Sequence, residues 1–258
     1  ISSPDAITRD PLRTISKDIL CNGQNNGSIT YIPTGGTSPY KLAWNDGDTN
    51  SIRAGLTVGK YTVSVTDLNN CRFVDSIILL QPEALQVTLD TLKLRAITCP
   101  TSNDGQIGVK VSGGNIGDIK YNWTPSLPDS NFIRNIPPGV YSVIVSDEKG
   151  CTDTLSNISM NAPPKIELGI MPVFTPKCAG DTASVFISSV SGGNGASYSF
   201  AINNGNSIPS ASKAFLRAGT YQFSVFDRKG CSLDTTITVV DPSKFNIDLG
   251  SDKKIRLG

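Results

Sequence analysis

The stretch Gly59-Lys60-Tyr61-Thr62-Val63-Ser64-Val65-Thr66-Asp67-Leu68-Asn69-Asn70-Cys71 decides the fold. Tyr61, Val63 and Val65 stand at period two with polar residues between them, the pattern of a strand with one face on a core and one in water. Asp67 then opens a tight turn, where its carboxylate accepts N–H groups ahead of it, and Asn70 holds the position that needs a residue tolerant of positive φ. The stretch returns as Gly139-Val140-Tyr141-Ser142-Val143-Ile144-Val145-Ser146-Asp147-Glu148-Lys149-Gly150-Cys151. It returns again as Gly219-Thr220-Tyr221-Gln222-Phe223-Ser224-Val225-Phe226-Asp227-Arg228-Lys229-Gly230-Cys231. Asn, Gly and Gly at the fourth turn position are the residues a left-handed conformation selects.

Working outward, the six cysteines keep the same period. Cys21 and Cys71, Cys99 and Cys151, Cys178 and Cys231 are 50, 52 and 53 positions apart, and equivalent cysteines recur every 78 to 80 residues. Gly35-Gly36, Gly113-Gly114 and Gly192-Gly193 follow each first cysteine at a fixed offset, with an aromatic soon after: Trp44, Trp123 and Phe200. So many shared offsets mean three tandem repeats. Ile107, Val109 and Val111 alternate like the opening stretch, no helical apolar stripe is sustained, and Gly, Pro and Asn clusters recur about every ten residues. Each repeat therefore reads as about seven short antiparallel strands in a sandwich. Pro82, Pro163 and Pro242 mark where the last strand of each unit ends, because proline does not extend a ladder. The expected organisation is all-β: three tandem immunoglobulin-like sandwiches at 12–82, 83–163 and 164–242, joined by short linkers into a semi-rigid rod. Residues 1–11 read as the end of a preceding unit or a linker, and 243–258 as the start of a further, truncated unit.

Composition removes whole classes of function. The 258 residues contain no histidine, which excludes Ser-His-Asp and Cys-His catalysis and most zinc sites. Lys+Arg and Asp+Glu number 23 and 22, so no bulk field steers nucleic acid or an anionic membrane. No apolar run approaches the roughly 20 residues of a membrane helix. The reading is of a non-enzymatic chain with no catalytic residue, no metal, no cofactor, no nucleic-acid partner and no membrane span.

An even cysteine number, one pair per unit, argues for disulfides, with free buried thiols or a metal site as the alternatives. Pairing inside each repeat is the expectation: Cys21 with Cys71, Cys99 with Cys151, Cys178 with Cys231. One geometric reservation attends it. The first cysteine ends an opening strand and the second starts the last strand, and sandwich topology does not guarantee that those ends meet.

The constellation Cys21-Asn22-Gly23-Gln24-Asn25-Asn26-Gly27-Ser28-Ile29, Gly35-Gly36-Thr37-Ser38-Pro39-Tyr40, Trp44, Leu56, Gly59-Lys60-Tyr61, Val63, Val65, Asp67, Cys71 and Gln81-Pro82 resembles the SprB repeat. Repeat two keeps Asn103-Asp104-Gly105 and Trp123, whereas repeat three has Ala183-Ser184 and Phe200 instead. The resemblance implies a giant extracellular cell-surface adhesin of gliding Bacteroidota, exported by the type IX system, whose repeats act as spacers in a filament. The partners it implies are other repeats of the same parent chain, and surface polysaccharide or substratum through regions outside this fragment. It also draws attention to Asp-Ser/Thr motifs of the kind such bacteria O-glycosylate: Ser76, Thr91, Thr154, Thr182 and Thr235. The rival readings are a carbohydrate-binding array and the spacer of a secreted polysaccharide hydrolase.

Three other motifs take plain readings. Asp46-Gly47-Asp48 starts like a calcium loop but has Ser51 and Thr57 where the later glycine and glutamate belong, which makes it a polar hairpin. The Gly-Gly pairs open no helix and carry no Lys-Ser/Thr sequel, so they are turns. Trp44, Trp123 and Phe200, recurring at one internal position, are core aromatics rather than sugar platforms.

Overall fold

The structure is a computed structural model describing residues 5–115, 117–170, 176, 178–185, 187–195, 197–203, 205 and 214–242. Every regular element among them is a strand, except one 3₁₀ turn at Thr91–Lys93. The first repeat supplies β1 (Thr8–Arg9), β2 (Ile15–Lys17), β3 (Gly27–Thr30), β4 (Pro33–Thr34), β5 (Lys41–Trp44), β6 (Ile52–Leu56), β7 (Gly59–Thr66) and β8 (Arg72–Leu79). The second supplies β9 (Gln86–Leu89), β10 (Gly105–Ser112), β11 (Lys120–Thr124), β12 (Phe132–Ile136), β13 (Gly139–Ser146) and β14 (Thr152–Met160). The third supplies β15 (Glu167–Ile170), β16 (Ala183–Val185), β17 (Ile187–Ser191), β18 (Tyr198–Ile202), β19 (Ala214–Leu216), β20 (Gly219–Asp227) and β21 (Ser232–Val239).

The sheets repeat with the sequence. The Gly-x-Tyr strand is always central in a three-stranded antiparallel sheet: β5-β7-β8, β11-β13-β14 and β18-β20-β21. A second sheet forms from the earlier strands: β2-β3-β6 with β1-β4 beside it, β9-β10-β12, and the pairs β15-β17 and β16-β19. This is the all-β, immunoglobulin-like architecture that the alternating pattern calls for. In the first repeat Ile29, Tyr31, Trp44, Val63, Val65, Ile77 and Leu79 form the buried core between the two faces. Val109, Trp123, Tyr141, Val143 and Val145 are buried in the second repeat, and Phe200, Phe223 and Val225 in the third. The expected core aromatics are thus in the core, and the two indoles spend their N–H groups on the carbonyls of Asn50 and Ser130 at 2.9 and 3.0 Å. The last strands stop at Leu79, Met160 and Val239, just before Pro82, Pro163 and Pro242.

One expectation is overturned at the start of the chain. Residues 5–11 do not close a preceding unit; they open the first repeat. Ile7 lies in its core, β1 pairs with β4, and the Asp5 carbonyl accepts the Gly36 N–H at 2.6 Å. Glu83 and Pro164 accept from Gly114 and Gly193 in the same way, at 3.0 and 2.9 Å. The start expected for a further unit, 243–258, lies outside the described residues.

Packing divides the chain into two compact units, which do not follow the sequence repeats. One comprises 1–95, 106–134 and 140–159, the other 96–105, 135–139 and 160–258. The first repeat falls wholly in one unit and the third in the other, while the second lies with the first repeat except for residues 96–105, 135–139 and 160–163, which fall in the unit of the third.

The Gly-Gly turns tie the opening segment to the rest of each repeat. Gly113 and Gly114 both sit at φ 69°, and a Cβ on Gly113 would overlap the Ala84 carbonyl oxygen. Gly113→Ala is expected to lower the unfolding free energy by about 2–4 kcal/mol, because backbone strain and steric overlap add. Gly150→Ala, at φ 83° but with open space around it, should cost only about 1 kcal/mol. Urea unfolding of the oxidised variants measures both.

Candidate functional site

The three aspartate turns form as the sequence indicates. Asn70, Gly150 and Gly230 have φ of 64°, 83° and 84°. In each turn one carboxylate oxygen accepts two backbone N–H groups: Asp67 from Asn69 and Cys71, Asp147 from Lys149 and Cys151, Asp227 from Lys229 and Cys231, all between 2.8 and 3.0 Å. The other oxygen reaches across to the residue after the Gly-Gly pair. Asp67 accepts the Thr37 N–H at 3.0 Å, and Asp147 and Asp227 accept the Asn115 and Asn194 N–H groups, each at 2.8 Å.

The disulfides do not close inside the repeats. Cys21 is bonded to Cys151 and Cys99 to Cys231, with Cα–Cα distances of 5.5 and 5.4 Å. The first cysteine of one repeat is therefore joined to the second cysteine of the next, and the expectation of one bridge per sandwich is corrected. Strand length is the reason. Cys71 stands at the start of β8, whereas the Cys21 segment is held at its far end. There Ile19 N–H donates to the Leu80 carbonyl, Gly23 N–H to Gln81 Oε1 and Asn22 Nδ2 to the Pro82 carbonyl, each at 2.9 Å. Eight residues of strand separate the two ends by about 27 Å, far beyond the roughly 7 Å that a disulfide spans. The third repeat is arranged alike: Cys231 immediately precedes β21, and the Gly180 N–H near Cys178 donates to Asp241 past its end. Cys71 and Cys178 are exposed and unbonded.

Each joint is a small network on an apolar footing. Asn115 Nδ2 donates to Asp147 Oδ2 at 2.9 Å and to the Leu20 carbonyl, immediately before Cys21, at 3.0 Å, with the Cys151 Sγ 3.3 Å away. Asn194 Nδ2 makes the same set, to Asp227 Oδ2 at 2.9 Å and to the Thr98 carbonyl before Cys99 at 2.8 Å, with the Cys231 Sγ at 3.3 Å. The asparagine thus bonds both sides of the seam that the disulfide closes. Cys231 belongs to a buried cluster with Ile166, Phe200 and Val225, and Cys99 packs against it. Clefts of about 260 and 340 Å³ run beside the first and second bridges. Each joint lies within one compact unit, the first in the unit with 1–95 and the second in the unit with 160–258.

Burial works against the charge on Asp147 and Asp227, and the converging N–H donors overcome it, holding both carboxyls below the ordinary carboxylate range. Asp67 is held low on the same balance, with its donors Thr37, Cys71, Asn69 and the Cys71 thiol. The asparagines are the functional residues that the sequence reading passed over. Their signal was Gly-Gly-Asn in repeats two and three against Gly-Gly-Thr in repeat one.

The remaining candidates fall apart from the joints. Asp46 and Asp48 turn to the buried guanidinium of Arg53, which lies over the Trp44 ring at 4.8 Å, so the hairpin is an ion-paired cap on the core. Among the Asp-Ser/Thr positions, Thr91, Thr154 and Thr182 are exposed and Ser76 and Thr235 half-buried. The carboxylates before four of them are engaged: Asp75 with the Tyr31 hydroxyl at 3.1 Å, Asp90 with Lys110 at 3.3 Å, Asp153 with the Val87 N–H at 2.7 Å and Asp234 with the Ser224 hydroxyl at 2.6 Å. Among the described residues no helix is long and apolar enough to cross a membrane.

Comparison with known proteins agrees with this picture at the level of the first repeat. Residues 13–49 match the family model described as SprB repeat, so the first repeat carries the signature its residues resemble. No curated protein sequence matches the chain. Among solved structures it is similar to an I-band fragment of titin, I67–I69, at 16% identity and TM-score 0.42, covering 94% of this chain and 100% of that one. It is also similar to Sidekick-1 immunoglobulin domains 1–5, at 13% identity and TM-score 0.38, covering 93% of this chain and 60% of that one.

The depressed aspartate pKa values fix a pH dependence. A carboxylate whose folded pKa is below its unfolded value stabilises the fold above the unfolded value, near pH 4, and loses that contribution as pH falls through the folded one. Asp147→Asn should therefore lower the Tm of the oxidised protein by about 5 °C at pH 7, and the gap should narrow as pH falls below about 4 and the carboxylate takes up its proton. Calorimetry across that range measures it.

Proposed function

We propose that this chain is a structural segment of a large extracellular cell-surface adhesin, serving surface adhesion and gliding motility by transmitting load rather than by catalysis. The observation that carries this reading is the staggered pair of disulfides, which makes each repeat's covalent continuity depend on the next. The SprB-repeat match over residues 13–49 supports placement at the cell surface. Disulfides persist in oxidising, extracytoplasmic surroundings, which supports the same location. Burial of Trp44, Trp123 and Phe200 removes the repeated rings that a sugar-binding array would present. The partners in this reading are neighbouring repeats, with contact to polysaccharide or substratum made elsewhere in the parent protein.

The mechanical consequence follows from covalent topology alone. A force entering at Cys21 crosses to Cys151, runs back through the chain to Cys99, and crosses again to Cys231. That route contains 52 residues, against 210 along the backbone between the same points. Residues 22–98 and 152–230 are bypassed once the route is taut, and repeat two bears the load between its two cysteines. At about 3.5 Å per residue the taut length from Cys21 to Cys231 is roughly 190 Å oxidised and roughly 735 Å reduced. Single-molecule pulling from the two chain ends should therefore show about a fourfold longer final extension of this span after reduction. Equal extension with and without reductant would overturn the load-bearing reading.

A further inference from the structure

Both bridges obey one rule: the first cysteine of a repeat is bonded to the second cysteine of the repeat that follows it in the sequence. Applied to six cysteines, the rule leaves one of each kind over. Cys71 is a second-type cysteine, Cys178 is a first-type cysteine, and both are exposed.

Each unbonded cysteine already has the local structure of its bonded counterparts. Around Cys71, the Asp67 carboxylate gathers the N–H groups of Asn69, Cys71 and Thr37, as Asp147 and Asp227 do in the two closed joints. Around Cys178, the Asp181 N–H donates to the Cys178 carbonyl at 3.2 Å. Gln24 and Ser102 donate to the carbonyls of bonded Cys21 and Cys99 at 3.1 and 3.0 Å. Gly180 N–H reaches a side-chain oxygen past the end of the last strand, Asp241 Oδ1 at 3.3 Å, as Gly23 reaches Gln81 Oε1 at 2.9 Å. The two half-joints are complementary: joining them would reproduce, between two copies, the bond found twice within one.

We propose that Cys71 and Cys178 are open halves of the inter-repeat joint, each taking the complementary cysteine of another repeat of this class, so that a second copy of this chain docks Cys178 against Cys71 and is covalently linked. A contact between two different patches is head-to-tail and leaves a free half at each end of a dimer, so it extends to multimers, as open chains or as rings. The bond forms in two balanced steps. A low-molecular-weight disulfide exchanges with the Cys178 thiolate, giving a mixed disulfide and one released small thiol. The Cys71 thiolate of the second copy then attacks the Cys178 sulfur and expels the second small thiol. Two protein thiols lose two electrons and two protons, and one small disulfide is reduced to two thiols.

The joint at Cys71 lacks the asparagine of the closed ones after its Gly-Gly pair. Thr37 replaces the asparagine that donates to the carbonyl before the incoming cysteine, and its hydroxyl instead accepts from Asn69 Nδ2 at 2.9 Å. Thr37→Asn restores that donor, and should slow reduction of the inter-copy bond about fivefold, the worth of one further hydrogen bond.

The test uses the whole purified chain, its native bridges intact, exposed to oxidised glutathione, followed by non-reducing electrophoresis and mass mapping of linked peptides. The expected result is a ladder of multimers in which Cys71 of one copy is bonded to Cys178 of another, well in excess of Cys71–Cys71 and Cys178–Cys178. Cys71→Ser and Cys178→Ser should each stop at monomer bearing a glutathione adduct, while a mixture of the two variants should give dimer and nothing larger. The proposal is overturned by roughly the one-to-two-to-one mixture of bonds that random thiol pairing produces. Bonding of Cys71 to Cys178 within a single copy, or no cross-link at all, overturns it equally. The inference rests on joint geometry and not on the adhesin reading. Loss of the load response with multimers intact would remove that reading alone.

Discussion

The length of the last strand in each repeat governs the rest of the structure. β8 and β21 are each eight residues long and run from the second cysteine towards the end where the first cysteine is held. A strand that long keeps the two thiols of a repeat about 27 Å apart, so a bridge forms only with a neighbour. Each closed loop then takes in 130 or 132 residues, more than a whole repeat. In the chain-entropy account the first such cross-link constrains the unfolded chain by about 5 kcal/mol, and the second adds less because the loops share residues 99–151.

The Asp–Asn pair makes the joint specific as well as strong. A buried carboxylate needs several donors to stay charged, and here the turn supplies two while the residue after Gly-Gly supplies the rest. Because that residue is also the one that reaches the preceding repeat's carbonyl, ordering the turn and recognising the neighbour are one event. The asparagine amide bonds both halves of the seam that the disulfide closes. Repeat one, with Thr37, keeps the turn without the reach.

Much of this was legible in the sequence, for local reasons. Period-two alternation around Tyr61, Tyr141 and Tyr221 gives strands because burial of one face is a property of neighbouring residues. Asn70, Gly150 and Gly230 mark turns because positive φ selects residue types directly. Pairing of the cysteines was not legible in this way. Sequence separation suggested partners 50 to 53 residues apart, whereas the bonds lie 130 and 132 apart. Partner choice depends on which strand ends meet, and that emerges only once the sheet order is known. The place of Ile7 was readable in principle, since it stands 29 residues before Gly36 as Leu85 does before Gly114, but two β1 residues are too short a run to show alternation.

The measurement that bears most directly on the account is disulfide mapping of the oxidised monomer by non-reducing proteolysis and mass spectrometry. Peptides carrying Cys21 and Cys151 should emerge linked to one another, as should those carrying Cys99 and Cys231, with Cys71 and Cys178 free to alkylate. Linkage of Cys21 to Cys71, Cys99 to Cys151 and Cys178 to Cys231 would contradict it, and with it the claim that each repeat is held by the next.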